Sequence, residues 1–172
     1  MTEIRTARLV LKPLVPENAA DYAAMRYHPE VTKWLLPLQG NDPVEAARGT
    51  IGRFAEQWSE RGYSPWAVWH EGRLIGHCGL NHVPELEGTE VLWALHPDFW
   101  GGGYATEAAR ASLEFGFETI GLPAIFAITK LDNVASQAVV KRLGLVYRKN
   151  VTYRGFEARY FDIDREAWQR TV

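Results

Sequence analysis

Residues 90–117 read Glu-Val-Leu-Trp-Ala-Leu-His-Pro-Asp-Phe-Trp-Gly-Gly-Gly-Tyr-Ala-Thr-Glu-Ala-Ala-Arg-Ala-Ser-Leu-Glu-Phe-Gly-Phe, and the fold turns on them. Glu90 to Leu95 is apolar and aromatic and stops before Pro97, which predicts a strand. Gly101, Gly102 and Gly103 follow. Beyond them the period changes: Ala105, Ala108, Ala109, Ser112, Leu113, Gly116, Phe117 and Ile120 fall on one helical stripe. The order is therefore strand, glycine loop, helix. Each glycine forgoes roughly 0.5–1 kcal/mol of backbone entropy relative to alanine in regular structure. A run of three is more than a turn needs. Glycines at a helix start let backbone N–H groups approach a ligand, and the helix end adds unpaired donors and partial positive charge. That combination suits a phosphate or pyrophosphate. A flexible connector is the plainer reading of the same glycines.

The two common phosphate loops do not fit. No lysine stands where a Gly-x-x-x-x-Gly-Lys-Ser/Thr loop requires one, and a Gly-x-Gly-x-x-Gly pattern begun at Gly101 meets Thr106 at its third glycine. The segment Trp100-Gly101-Gly102-Gly103-Tyr104-Ala105-Thr106-Glu107-Ala108 instead resembles the acyl-CoA loop of the GNAT family of N-acetyltransferases, whose pattern is Gln/Arg-x-x-Gly-x-Gly/Ala. Gly103 and Ala105 match its last two fixed positions, and Trp100 stands where Gln or Arg is usual. The flanking residues are similar to the branch that acetylates protein N-termini, the ribosomal-protein alanine acetyltransferases. Thr6-Ala7-Arg8-Leu9-Val10-Leu11-Lys12-Pro13-Leu14, an alternating first strand, looks like the start of the same branch.

A chain of 172 residues with 47% apolar and 23% charged residues suits one soluble domain, 1–172. The net charge of −2 argues against a dedicated nucleic-acid binder. The single cysteine, Cys78, lies in an apolar run and reads as a buried, inert thiol. There is no apolar leader and no run near the ~20 residues of a membrane span, so a cytoplasmic protein without membrane contact is expected. His70, His77, His82 and His96 lack the spacing of a zinc site and read as surface or strand-end residues, with no metal expected.

Pro16-Glu17 opens a helix, and Asp42-Pro43-Val44-Glu45 opens another, with Asp42 as N-cap and Glu45 at the capping-box position. Between them lies an irregular segment holding Trp34, where relatives of the resembled family line the acceptor site; packing beneath a loop is the other reading of that tryptophan. Ser64–His70 and Arg73–Leu80 flank a Glu71-Gly72 turn. Ala124–Thr129 is a continuous apolar run, hence a buried strand. Asn133 caps a helix running to Gly144. Two strands, Val146–Tyr153 and Ala158–Ile163, and a short polar tail close the chain. The resemblance implies the GNAT fold: a mixed, mostly antiparallel α/β sheet of about seven strands with one splayed pair, and about four helices.

What the resemblance implies chemically is acetyl transfer from acetyl-CoA to a primary amine, by direct attack in a ternary complex. The backbone around Trp93, Ala94 and Leu95 would take the pantetheine, and the amides from Trp100 and Gly101 to Thr106 the pyrophosphate. Gly103 would be glycine because a side chain would intrude there. With Trp100 and Gly102 in place of basic residues, the loop brings no cation of its own. Asn133 would touch the pantetheine besides capping its helix. Val140 stands where many members carry a proton-donating tyrosine, which leaves Ser136 as the candidate acid; it also reads as a plain first-turn serine. Glu90 is the candidate general base and acceptor contact, with a solvated strand-end glutamate as the other reading. A protein N-terminus is the first expected acceptor; a free amino acid, polyamine or aminoglycoside stays open. A non-catalytic acyl-CoA-binding module of the same fold is the alternative function, and a Rossmann oxidoreductase a distant third. Monomer and homodimer are both compatible.

Overall fold

Residues 2–172 are described by a computed structural model. Two antiparallel hairpins generate its middle. Glu71 and Gly72, at φ 46° and 78°, form the tight turn between β3 (Pro65–His70) and β4 (Arg73–Val83). Positive φ at both turn residues matches the twist of the flanking strands. A 3₁₀ turn at Pro84–Leu86 then returns the chain as β5 (Gly88–Leu95), which pairs with β4 from Val83↔Gly88 to Gly76↔Leu95. Around these lie β1 (Ile4–Arg5), β2 (Val10–Pro13), β6 (Ala124–Lys130), β7 (Val146–Tyr153) and β8 (Phe156–Asp164). They form one sheet in the order β1-β2-β3-β4-β5-β6-β8-β7. Every neighbouring pair is antiparallel except β5–β6, which is parallel and in register at one pair only, Glu90↔Phe126. Beyond that pair the strands diverge, so the sheet is split at its centre.

Side-chain alternation sends the two faces of the hairpins to different partners. Cys78, Leu80, Val91 and Leu95 pack on Ala108, Ala109 and Leu113 of α4 (Tyr104–Glu114) and Val139 and Val140 of α5 (Val134–Arg142). Ala67, Leu74 and Ala94 face Tyr22, Ala23 and Met25 of α1 (Ala19–Arg26) and Ala47 and Ile51 of α3 (Pro43–Arg61). Two short helices, α2 (Pro29–Thr32) and α6 (Arg165–Gln169), complete the set. With eight strands and six helices, the architecture is the expected mixed, mostly antiparallel one, with slightly more elements.

Three local expectations need correction. The closing segment is not a polar tail: Asp164 caps α6 by accepting from the Ala167 N–H at 2.7 Å, and Trp168, 1% exposed, stacks on Phe117. Glu45 sits at the expected position, but its carboxylate turns to Arg48 rather than back to the cap; Asp42 alone caps α3. The strand expected over Thr6–Leu14 is the second, β2, and is shorter than its alternation suggests. Thr6 folds back on Leu9 and accepts its N–H at 3.0 Å, so regular pairing with β3 begins at Val10.

Candidate active site

The split between β5 and β6 opens into a cleft of about 950 Å³. His96 N–H bonds the Ile75 carbonyl on β4 at 2.7 Å, which fixes the phase of the ladder. Ala94 and Leu92 therefore also direct their backbone groups to β4, whereas Val91, Trp93 and Leu95 direct theirs to the gap. Of the three residues expected to take the pantetheine, Trp93 and Leu95 present backbone to the cleft, and Ala94 is committed to His77. The Leu95 carbonyl is engaged by the Trp100 indole N–H at 2.8 Å. Trp100, nearly half exposed, thus braces the strand end from the loop.

Gly101 and Gly103 both adopt left-handed backbone, at φ 78° and 81°, and Gly103 is the N-cap of α4. The first-turn amides of α4 are free of side-chain caps. The backbone itself favours glycine at 103, whatever the loop binds. A Cβ there would meet the Arg8 guanidinium at 3.4 Å, in a backbone conformation that side chains disfavour. Arg8 donates to the Gly102 carbonyl at 2.9 Å, lies 4.2 Å over the Tyr104 ring and pairs with Glu107 at 2.7 Å. A cation does stand at the loop, but its charge is matched by Glu107. Arg142, from the last turn of α5, lines the same cleft without a carboxylate partner among the described residues.

At the apex of the split stands Glu90, 8% exposed. Asn81, opposite it on β4, donates Nδ2–H to its Oε1 at 3.1 Å. Burial pushes its carboxyl up to about 7, against the smaller pulls of Asn81 and Arg154. Arg154, at the β7–β8 turn, is itself held by Glu85 at 3.0 Å. Glu90 is therefore no solvated strand-end glutamate. On the far side of the gap, Asn133 accepts the Ser136 N–H at 3.1 Å, so the capping role is present, and both residues line the cleft. Two further hydroxyls, Thr106 Oγ1 and Thr129 Oγ1, line the cleft buried and without partners. Buried orphan polar atoms are uncommon and await a ligand or water.

Trp34 lines the other half of the cleft with Leu36 and Phe54. Several residues there gave no motif: Tyr22, Arg26, Arg53, His77 and Asn81. His77 is not a surface histidine. It is 6% exposed, its Nδ1 is 2.9 Å from the Tyr22 hydroxyl, and burial lowers it to about 3. Asn81 was findable, because pairing outward from the Pro84–Glu87 turn sets it opposite Glu90. Cys78 is buried and its thiol is pushed up to about 12, the inert residue expected. No described helix is long and apolar enough to cross a membrane.

Comparison with known proteins agrees with this geometry. The chain is 30% identical to the FsC-acetyl coenzyme A-N(2)-transacetylase of Aspergillus fumigatus, over 97% of this chain and 78% of that protein. An acetyltransferase structure from Agrobacterium tumefaciens superposes with a TM-score of 0.81 at 26% identity, covering 95% of this chain and 94% of that one. The ribosomal-protein-S5-alanine acetyltransferase of Vibrio fischeri shares the fold, with a TM-score of 0.82 at 14% identity over 98% and 99% of the two chains. The model of the acetyltransferase (GNAT) domain matches residues 8–146, and with the split sheet and glycine loop in place the chain belongs to the GNAT family of acetyltransferases.

Proposed function

We propose that this enzyme transfers an acetyl group from acetyl-CoA to a primary amine inside the β5–β6 cleft, with both reactants bound together and no acyl-enzyme stage. The observation that carries the reading is Glu90: a carboxylate buried at the apex of the split, with its pKa near neutrality. A module that only bound acyl-CoA would have no use for so costly a group.

The residues present fit a CoA thioester. The cleft-facing amides of Trp93 and Leu95 form an unpaired strand edge suited to the pantetheine and the thioester carbonyl. The amides of Gly101 to Thr106 suit the pyrophosphate at a helix N-terminus. The orphan hydroxyls of Thr106 and Thr129 and the free amide nitrogen of Asn133 supply further donors along the walls. When bound, acetyl-CoA supplies the activated acyl carbon. Glu90 takes the proton of the acceptor's ammonium, directly or through one water, and Asn81 holds the carboxylate in place. Ser136, its hydroxyl without a partner among the described residues, holds a proton on the opposite wall. Placing the two reactants side by side removes much of the entropic barrier.

Trp34, Leu36 and Phe54 would contact the acceptor. The test is detection of free CoA thiol with DTNB over a panel of amines, with mass spectrometry of the products. Thiol release that depends on an amine, with an acetylated product, is the expected result. Tight acetyl-CoA binding with no release for any amine would favour the binding module.

A further inference from the structure

We propose that Arg26, with Arg53 beside it, forms an anion subsite in the acceptor half of the cleft, and that the amine acetylated here carries a carboxylate. The inference builds on the transferase reading and narrows its acceptor.

Arg26 ends α1 and is only 9% exposed, yet it lines the cleft. Its Nη2 donates to the Leu36 carbonyl at 2.7 Å, and its Nε is buried with no partner. Among the described residues no carboxylate pairs with it. A buried guanidinium without a counter-ion is costly, and the usual remedy is an opposite charge with satisfied hydrogen bonds. Arg53 comes from α3, lines the same wall and bonds only the Thr50 hydroxyl, at 2.9 Å. It too lacks a carboxylate partner among the described residues.

The cleft's two carboxylates are engaged elsewhere, Glu85 by Arg154 and Glu90 by Asn81. The Tyr22 hydroxyl lies in the field of both arginines, but burial pushes its pKa up to about 12, so it stays a neutral phenol. His77, bonded to that hydroxyl, is kept neutral by burial and by Arg26. The cleft is also lined by apolar Trp34, Leu36 and Phe54 and by neutral Gln39 and Gln57. Such a site would take a small planar anion that accepts from guanidinium N–H groups, and a carboxylate matches that fork.

Position separates this subsite from the chemistry. Glu90 lies opposite Asn81 and Ala94 opposite His77, all on one face of the sheet. Four residues of strand put the two stations about 13 Å apart at the backbone. An acceptor would thus reach Glu90 with its amine and the arginines with its anion. A polyamine or an aminoglycoside would bring cations to unpaired guanidiniums and be repelled.

The test uses matched acceptors: α-amino acids and ω-amino acids of graded length, each against its carboxamide. For at least one length the carboxylate should show a KM at least about tenfold below its amide, the worth of one hydrogen-bonded charge. Arg26→Gln should abolish that preference by raising the carboxylate's KM while leaving the amide's, and Arg53→Gln should reduce it. A purely structural role for Arg26 would move both acceptors together. Should Arg26→Gln fail to fold, the preference of the parent and its loss in Arg53→Gln decide. Amides accepted as well as acids at every length, or a preference that survives both substitutions, would overturn the subsite. NMR titration with the N-acetyl carboxylates and N-acetyl carboxamides, without acetyl-CoA, separates the two readings. If no amine is acetylated, the transferase reading fails, yet carboxylate-selective binding lost in Arg26→Gln still upholds the subsite. Absence of both overturns both.

Discussion

A carboxylate such as Glu90 is useful to a base-catalysed reaction because its site disfavours charge. Burial raises its carboxyl to about 7, and Asn81 limits the rise. The same fact has a consequence for folding. Between the unfolded value near 4.5 and the folded value near 7, the native state holds a proton that the unfolded chain has released. Stability from this group is therefore fully present below about 4.5 and is lost as pH rises through about 7. Glu90→Gln should accordingly melt higher than the parent above neutrality, with the gain shrinking toward pH 5 in paired thermal scans. A difference independent of pH would deny the shift. His77 acts with the opposite sign, since its folded value is depressed to about 3, but it is common to both proteins and cancels. Asn81 can be tested separately. Asn81→Ala removes a donor to the charged form, so the acidic limb of the rate profile should move to higher pH; an unmoved limb would mean that Asn81 does not tune the base.

At the scale of elements, the proposed function has the glycine loop and α4 hold CoA through fixed dipoles. Arg8 is matched by Glu107, whereas Arg142 lines the cleft without a carboxylate partner among the described residues. CoA affinity should then fall only shallowly with salt. Arg142→Gln should weaken it severalfold at low ionic strength and hardly at all at high, as read by calorimetry. A steep salt dependence that persists in Arg142→Gln would point to other cations. The short α6 makes a different kind of claim. Trp168 is buried against Phe117, so Trp168→Ala should cost about 3–5 kcal/mol in denaturant unfolding. A loss below about 1 kcal/mol would show that α6 docks loosely.

Across the whole molecule, what could be read from the sequence divides along physical lines. The Glu90–Phe117 stretch announced strand, loop and helix because a short apolar, aromatic run ended by a proline, a glycine run and a helical stripe are local signals. The Asp42 and Asn133 caps were legible for the same reason. Glu90 became the candidate base through the family resemblance, but its burial depends on β4 and β6 closing around it, and that is long-range. Arg26 and Arg53 could not be read together, since they line one cleft only when α1 and α3 pack side by side. α6 was missed because five residues hold too few turns for a period, although Asp164 three residues before Ala167 was a usable cap signal. The central claim is that these distant pieces converge to make Glu90 the base for amine acetylation. It is tested most directly by the rate of thiol release as a function of pH, for the parent and Glu90→Gln, on the best acceptor. The account predicts a parent rate that climbs through about pH 7, and a Glu90→Gln rate lower by a factor of order 10²–10⁴ with that limb gone and acetyl-CoA affinity nearly unchanged. A Glu90→Gln protein that keeps the limb and turns over within a few fold of the parent would contradict it.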